Sequence, residues 1–254
     1  MLRGFLHISD RCRYALSSAY ILFYEHLKFK IMKTTSSYIL QSSSPVQVVI
    51  QRKTAESDIL VTIEGGWEEQ KTTPRPCTWN TGIKFLNHML QTICRRASLN
   101  IDARFECVLQ ETFAEHVVWE DVGLVFGAGI AELMEQRRES GVEGAGFGVA
   151  CIDEALSQCF VSFEGRSGCY IAIAESQAKR KEFVEDAKTQ DVRQFFDGFA
   201  QGGKCSVHLQ IGSAEDSHHL WESAFRAFGE ALRVSMRPNT WRKGVIVGVK
   251  DARD

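Results

Sequence analysis

The sequence lacks the features that mark several special classes of protein. Its net charge is only −2 over 254 residues, so no excess of basic charge favours binding to nucleic acid. The apolar run Tyr14–Tyr24 is far too short to cross a bilayer. Its eight cysteines mostly lie in apolar segments, as reduced, buried thiols do in a cytoplasmic protein, and they do not suggest a disulfide framework. These absences predict a cytoplasmic globular protein with neither nucleic acid nor membrane among its partners.

Residues 1–31 differ in character from the rest of the chain. Arginines precede the apolar run and further charged residues follow it, with no small-residue cleavage site, so a secretory signal peptide is not expected. A second methionine, Met32, stands just before a polar stretch. We therefore expect residues 1–31 to be a leader or appended segment outside the fold. Residues 32–254 are expected to form the folded domain.

A pair of adjacent histidines followed by a glutamate is the pattern around which the chain is organised: His218, His219 and Glu222. The apolar residues behind it keep helical spacing, so the motif lies on the first turns of a helix. Residues four apart lie one above the other on a helix, so His218 and Glu222 can bind one metal ion while His219 points elsewhere. Imidazole nitrogen and carboxylate oxygen suit manganese, iron or zinc. An ordinary surface histidine–glutamate pair is the alternative.

The same pattern occurs 102 residues earlier, which indicates an internal duplication. Each half, about residues 45–138 and 147–250, ends in a helix with the spacing of metal ligands. One ligand is not repeated, because the first copy has Val117 where the second has His219. Six identical pairs share the offset: His116 and His218, Trp119 and Trp221, Glu120 and Glu222, Phe126 and Phe228, Gly127 and Gly229, Met134 and Met236.

Hydrophobic periodicity predicts the elements that lead up to these helices. Val46–Arg52 and Asp58–Gly65 are expected to form a β-hairpin. A helix is predicted over Thr81–Arg96, with Thr81 as a cap candidate, and Asp153–Leu156 is expected to open a short helix. The charged run Lys179–Lys188 is interpreted as a solvated face. Further strands are predicted at Asn100–Gln110, Cys159–Phe163, Cys169–Ala174 and Cys205–Ile211, and a further helix at Val192–Ala200.

The histidines outside the leader all coincide with these features. The chain has seven histidines, of which two lie within residues 1–31. Histidines used for packing or at the surface would scatter more widely along the chain. We interpret the remaining five as candidate metal ligands, with satisfied core histidines as the alternative. They are His88, His116, His208, His218 and His219.

Several motifs in one order make the chain similar to the imidazoleglycerol-phosphate dehydratase family, from about Arg52 to Val245. They are RKTAES, TGIKFLNHML, EHVVWEDVG, DEAL, FEGRSG, VHL followed by DSHHLWE, and RKGV. The resemblance implies an α+β fold, an internally duplicated two-half domain in which each half is a mixed β-sheet with helices packed on one face. It also implies trimers that assemble into a larger homo-oligomer, with manganese sites between subunits.

The activity that the resemblance implies is a metal-dependent lyase reaction in histidine biosynthesis. Imidazole glycerol phosphate would be dehydrated to imidazole acetol phosphate, which requires removal of an unactivated C–H proton and loss of hydroxide. Cations on the ring nitrogens of the substrate would assist both events. The phosphate needs fixed cationic partners, for which ordinary surface cations are the alternative interpretation. Candidate catalytic carboxylates are Glu56, Glu120 and Glu222, and candidate phosphate-binding residues are Arg166, Arg226 and Lys243.

Two manganese sites follow from the same resemblance, and they are not equally complete. Residues matching one site are all present in this chain. The other site has Val117 where its fourth ligand would stand, although three protein ligands plus water can still hold a metal. The intact set is His116, Glu120, His208 and His219, and the incomplete set is His88, His218 and Glu222.

Other departures from the family pattern leave three interpretations open. Asn87, Val118 and Trp241 replace an aspartate, a threonine and a serine, Arg226 replaces a lysine, and an arginine expected shortly before DEAL has no counterpart in Gly144–Cys151. The first interpretation is a working, divergent dehydratase. The second is a related metal-dependent lyase with a different substrate. The third is a catalytically silent metal-binding paralogue within a mixed assembly.

Overall fold

The first half of the fold is a six-stranded mixed sheet with two helices. The computed structural model describes residues 34–35, 38–66, 72–108 and 114–248, and the predicted leader, residues 1–31, lies outside this part of the chain. The sheet order is β1-β2-β3-β4-β6-β5, antiparallel except for the parallel β5–β6 pair. The elements are β1 Thr34–Thr35, β2 Tyr38–Ser43, β3 Gln47–Lys53, β4 Ser57–Glu64, β5 Trp79–Asn80, α1 Lys84–Ala97, β6 Asn100–Cys107 and α2 Glu115–Arg137.

The second half is a four-stranded mixed sheet with two helices and a small separate hairpin. The sheet order is β7-β8-β12-β9, antiparallel except for the parallel β9–β12 pair, while β10 pairs only with β11. Two short 3₁₀ helices lie at Ala178–Arg180 and Thr240–Arg242. The other elements are β7 Ala145–Ile152, β8 Ala155–Ser162, β9 Gly168–Ile173, β10 Phe183–Val184, β11 Ala187–Lys188, α3 Thr189–Gly203, β12 Ser206–Ile211 and α4 Ser217–Ser235.

The two halves share one topology. In the first half the order β3-β4-β6-β5 consists of a hairpin, an antiparallel third strand and a parallel edge strand, and the order β7-β8-β12-β9 repeats this arrangement. The helices fall at matching places in the chain order, so that α2 corresponds to α4 and α1 to α3. This repeat confirms the predicted α+β fold with an internal duplication. Each half therefore ends in a helix with the predicted spacing of metal ligands.

The helices lie against the sheets and against each other, and they create the core between the halves. Helix α2 packs on β3 and β4, α4 packs on β7 and β8, and contacts between the halves join α2 to α3 and α1 to α4. Phenylalanine rings fill the centre: Phe199 lies 5.4 Å from Phe126 and 4.8 Å from Phe228, between ring centroids. Burial of each such side chain contributes about 1.5–3 kcal/mol. No helix among the described residues is long and apolar enough to span a bilayer.

Glycines let α2 and α3 approach without intervening side chains. A Cβ at Gly127 of α2 would overlap the carbonyl oxygen of Phe199, and one at Gly202 of α3 would overlap that of Leu124. Gly123 and Gly198 occupy equivalent close contacts one turn away. The spacing of glycines four apart on both helices places them on the facing surfaces. The backbone separation of the two halves is therefore determined at this crossing.

The predicted helix at Asp153–Leu156 is wrong. Asp153 and Glu154 form the turn between β7 and β8, and Asp153 adopts a left-handed backbone conformation with φ of 44°. Acidic residues are common in first helical turns, but the following residues 155–161 alternate strictly between buried and exposed, as a strand does. The strand therefore begins at Ala155, earlier than the predicted start at Cys159.

Thr81 does not cap helix α1 in the predicted way. The N-cap residue is Ile83, which has no side-chain cap. Instead, the carboxylate of Asp186, from the turn between β10 and β11, accepts hydrogen bonds from the amides of Lys84 and Phe85 at 2.7 and 2.9 Å. These are two of the free N–H groups at the helix start, and the negative charge complements the helix dipole. The charged run interpreted as a solvated face thus contains a hairpin that supports α1.

We predict that Gly127→Ala destabilises the protein, because the methyl group overlaps the backbone of α3. Alanine is a better helix former than glycine by about 1 kcal/mol, so helix propensity alone predicts the opposite sign. Overpacking of a tight contact costs about 1–3 kcal/mol, which should dominate the outcome in denaturant unfolding. Ala128→Gly, at the neighbouring position of α2, is the control, and it should lose the propensity difference and the contact of one partly buried methyl group. Stabilisation by Gly127→Ala would show that α2 and α3 are not in backbone contact.

Candidate functional site

Helices α1 and α4 bring together two histidines and a glutamate from different halves. Nε2 of His218 and Nε2 of His88 lie 3.0 and 3.3 Å from Oε2 of Glu222. The side chain of Glu222 is 6% exposed, whereas that of His88 is 41% exposed. Asp216 caps α4 by accepting a hydrogen bond from the amide of His218 at 2.6 Å, which fixes the first turn carrying the motif.

The two carboxylate oxygens of Glu222 have different partners. Its Oε1 accepts hydrogen bonds from Nε and Nη2 of Arg226 at 2.9 and 2.6 Å, and its Oε2 faces the histidines. Burial by itself raises the pKa of Glu222, but the charge-assisted hydrogen bonds from Arg226, with smaller contributions from His218 and His88, lower it overall. Glu222 is therefore ionised at neutral pH, which is the form that binds a cation.

Glu185, in the turn between β10 and β11, contacts the other side of His218. Its carboxylate accepts from Nδ1 of His218 at 3.0 Å. A carboxylate has only acceptor oxygens, so a hydrogen on Nδ1 satisfies this contact, and an imidazole with its one hydrogen there presents a lone pair at Nε2. This lone pair faces the Oε2 acceptor of Glu222 at 3.0 Å. Two acceptors at this distance require a proton or a metal cation between them.

His219 points away from this cluster and binds the β7–β8 turn. Its Nδ1 lies 2.9 Å from Oε2 of Glu154, and its Nε2 lies 3.2 Å from Oδ2 of Asp153. The hydrogen bond to Glu154 raises the pKa of His219. The pKa of Glu154 falls to about 2, first through its own amide, then through His219 and the amides of Glu215 and Asp216. The predicted divergence of His218 and His219 therefore holds in the structure.

His208 lies on the outer face of the second sheet. Its ring stacks on that of Tyr170, with 4.5 Å between centroids and 24° between planes. In register it lies between Tyr170 of β9 and Phe160 of β8. His208 and the exposed Arg166 line one open groove of about 640 Å³ across β7, β8 and β12. This places a candidate metal ligand and a candidate phosphate ligand on the same surface.

The first half presents its candidate residues at the start of α2. His116 is exposed and Glu120 half-buried, one turn apart. The buried Asp121 next to them accepts hydrogen bonds from Ser57 at 2.6 Å and Arg52 at 2.8 Å. These bonds tie the β3–β4 turn, which carries the exposed Glu56, to the N-terminal part of α2. Asp121 therefore holds Glu56 and Glu120 on neighbouring elements.

His88, His218 and Glu222 place their donor atoms within 4.8 Å of one another. In the described part of the chain, this is the one group of three or more potential metal ligands that lie so close together. The four other predicted ligands lie apart from this group, on the first turns of α2 and α4 and on β12. Sequence reasoning gave no role to Asp121, Glu154, Glu185 and Asp186. Their partners are distant in the sequence, and no local pattern marks such contacts.

Comparison with known proteins identifies the family. The family model described as imidazoleglycerol-phosphate dehydratase matches residues 81–232. Proteins of that name from Aromatoleum aromaticum and Synechococcus elongatus are both 32% identical, covering 68% and 82% of this chain and 84% and 93% of theirs. The chain belongs to the imidazoleglycerol-phosphate dehydratase family.

Solved structures of the family share the fold. The crystal structure of imidazoleglycerol-phosphate dehydratase from Staphylococcus aureus has a TM-score of 0.60 at 24% identity, covering 76% of this chain and 99% of that one. The structure from Pyrococcus furiosus has a TM-score of 0.63 at 22% identity, covering 79% and 98%. These likenesses confirm the α+β architecture predicted from the resemblance.

The cluster on α1 and α4 fits a divalent cation of the kind expected in an imidazoleglycerol-phosphate dehydratase. Two imidazole nitrogens and one carboxylate oxygen suit manganese, iron or zinc. With the His218 hydrogen on Nδ1, the lone pair at Nε2 faces Oε2 of Glu222 at 3.0 Å, and a metal cation would satisfy both. Asn87, which replaces the aspartate of the family motif, does not disturb this arrangement. Its Oδ1 accepts from the hydroxyl and amide of Thr81 at 2.8 and 3.2 Å, as a carboxylate oxygen would.

The three predicted phosphate-binding residues differ in availability. Arg166 and Lys243 are exposed, whereas Arg226 already donates to Glu222 and, at 3.0 Å, to the carbonyl oxygen of Cys151. A lysine at the position of Arg226 could not make the same forked contact with Glu222 while also reaching Cys151. Arg226 therefore holds Glu222 in place and is less available to a phosphate than Arg166 and Lys243.

We predict that Glu154→Gln lowers the pKa of His219 in the metal-free protein. Folding raises the pKa of His219, so its contribution to stability is full below about 6.5 and fades as the pH rises through the raised value. Folding lowers the pKa of Glu154, so its contribution is present above the ordinary value of 4.5 and is lost as the pH falls.

The Glu154→Gln change should therefore reduce stability more at about pH 5.5 than at about pH 9. NMR titration of the imidazole and thermal unfolding at the two pH values measure both effects. Glu182→Gln, an exposed carboxylate elsewhere, is the control. An unchanged pKa of His219 would contradict the contact with Glu154.

Proposed function

We propose that this protein dehydrates imidazole glycerol phosphate to imidazole acetol phosphate, using a divalent cation, with manganese as the first candidate. The observation that carries this proposal is the cluster of His88, His218 and Glu222. All three residues lie inside the family match, on helices from both halves. The deep burial of Glu222 and its partnership with Arg226 favour a built site over a chance surface pair.

The reaction removes a proton from one carbon and hydroxide from the neighbouring carbon, and the resulting enol rearranges to the ketone. A cation bound to the imidazole ring of the substrate would stabilise the electron density left when the proton departs. Glu222 is engaged with two histidines and Arg226, so we assign it to binding the cation. Glu56 is exposed on the turn that Asp121 holds beside Glu120. We therefore propose Glu56 as the carboxylate that moves protons, with Glu120 as a ligand.

We also propose that the active form is a homo-oligomer, trimers within a larger particle. The outer face of the second sheet supports this, because a group of large apolar side chains is 48–61% exposed there. Contiguous exposed apolar surface marks interaction sites. His208 lies on this same face, so a neighbouring chain could complete a site with His116, Glu120 and His219. The exposed residues are Phe147, Val149, Leu156, Phe160 and Tyr170.

A silent paralogue is the second candidate function, and Val117 favours it. This position cannot supply the fourth ligand that the family resemblance implies for the cluster on α1 and α4. A related lyase acting on a different substrate remains the third. The predicted cytoplasmic location and the leader at residues 1–31 stay proposals as well.

An assay of the purified full chain with imidazole glycerol phosphate tests the proposal. We expect turnover with added manganese, loss of turnover after chelation, and recovery when the metal is restored. Glu222→Gln should reduce both metal affinity and activity by about 10–100-fold, because it weakens a ligand. Metal binding without turnover would favour the silent paralogue, and turnover that persists after chelation would overturn metal dependence.

We predict that Arg166→Ala lowers kcat/KM for this substrate and leaves metal content unchanged. Loss of a charge-assisted hydrogen bond to phosphate corresponds to about 1.5–3 kcal/mol of transition-state stabilisation. Lys181→Ala, another exposed cation, is the matched control and should retain wild-type kinetics. An unchanged kcat/KM for Arg166→Ala would remove phosphate binding from this residue.

A further inference from the structure

The hairpin of β10 and β11 lies between the two helices that carry the candidate metal ligands. Its strands pair Phe183 with Lys188 and Val184 with Ala187. Val184 and Ala187 are 1% exposed, so the hairpin is anchored in the core. Its turn consists of Glu185 and Asp186. Such an anchor can hold the two turn residues at fixed positions relative to the helices.

Asp186 fixes the turn at the start of α1. Its two carboxylate oxygens accept from successive amides, those of Lys84 at 2.7 Å and Phe85 at 2.9 Å. His88 lies one helical turn after Lys84. The hairpin is therefore attached to the same end of α1 that presents His88. This attachment leaves little freedom for the residue next to Asp186 in the turn.

Glu185 has a backbone conformation that is unfavourable for a residue with a side chain. Its φ of 50° lies in the left-handed region, where glycine carries no penalty and a glutamate is strained. Strained residues persist where the surrounding structure holds them, and they are frequent at functional sites. In this conformation, the carboxylate of Glu185 accepts a hydrogen bond from Nδ1 of His218 at 3.0 Å.

We propose that Glu185 is a positioning residue of the metal site, which holds His218 in the tautomer and orientation that leave Nε2 available to a cation. A carboxylate behind a metal-binding imidazole fixes the ring and raises its basicity as a ligand. The turn couples this effect to α1, because Asp186 of the same turn caps the helix that carries His88. The inference rests on the proposed metal site and adds a residue to it.

Glu185→Gly is the decisive variant, because it removes the carboxylate and relieves the backbone strain together. Its Tm should equal or exceed that of the wild-type chain, while the Kd for manganese, measured by titration of the metal-free protein, should rise by about 10–100-fold. A residue with only a structural role would lower the Tm instead. Glu185→Gln, which keeps an acceptor without the charge, should weaken manganese binding less than Glu185→Gly does.

Glu182→Gln, an exposed carboxylate directly before β10, is the matched control and should bind manganese as the wild-type chain does. A second readout needs no metal: ¹⁵N NMR of labelled histidine at high pH should show a neutral His218 protonated at Nδ1 in the wild type and a mixture of tautomers in Glu185→Gly. A Kd for Glu185→Gly within about twofold of wild type, or an unchanged tautomer, overturns the inference. No manganese binding by the unaltered chain overturns the proposed function instead.

Discussion

The contact on which the site depends is the glycine-lined crossing of α2 and α3. Because Gly127 and Gly202 leave no room for side chains, backbone meets backbone, and the separation of the two halves is set without adjustable groups. Helices α1 and α4 pack across the same boundary. His88 of α1 and Glu222 of α4 come within 3.3 Å of each other across this boundary, although 134 residues separate them in the chain. A larger residue at the crossing would displace the helices that carry the metal ligands as well as the side chains of the core.

The ligand Glu222 depends on Arg226 both to compensate its buried charge and to orient its carboxylate. A buried carboxylate is costly unless it is paired, and Arg226 supplies both the charge and a forked pair of hydrogen bonds to Oε1. This leaves Oε2 for the two histidines. The rise in pKa that burial alone would cause in Glu222 is thus offset by a cation on its own helix. The contacts of Arg226 with Glu222 and with the carbonyl oxygen of Cys151 orient the carboxylate of Glu222.

Much of the fold could be predicted from the sequence because its signals are local. The β3–β4 hairpin follows from alternating apolar residues, and the duplication follows from six identities at one offset. The sequence predicts a helix at Asp153, where the structure has a turn, because acidic residues are common in both tight turns and first helical turns. Ligand spacing on α4 was visible in the sequence, since i and i+4 share a helix face.

The supporting residues of the site could not be predicted in the same way. Glu185 and Asp186 act on residues 33 and more than 100 positions away, through a hairpin whose strands have only two residues each. Such short strands carry no usable periodicity, and the run around them is rich in charge. The sequence therefore suggested a solvated surface, although Val184 and Ala187 are buried. Tertiary position alone gives these residues their role.

The duplicated sheets have diverged on their outer faces, and this divergence bears on where the remaining ligands would act. Outward-facing positions of the first sheet include polar residues such as Thr62, Asp102 and Arg104, whereas the second sheet exposes several large apolar side chains. A sheet face that meets only water does not need a group of exposed large apolar side chains, and such a group marks an interaction site. The apolar face carries His208, and its groove includes Arg166. In the proposed oligomer, this apolar face would drive association and would also bring His208 and Arg166 to a neighbouring chain. Assembly would therefore complete the second metal site at the same time.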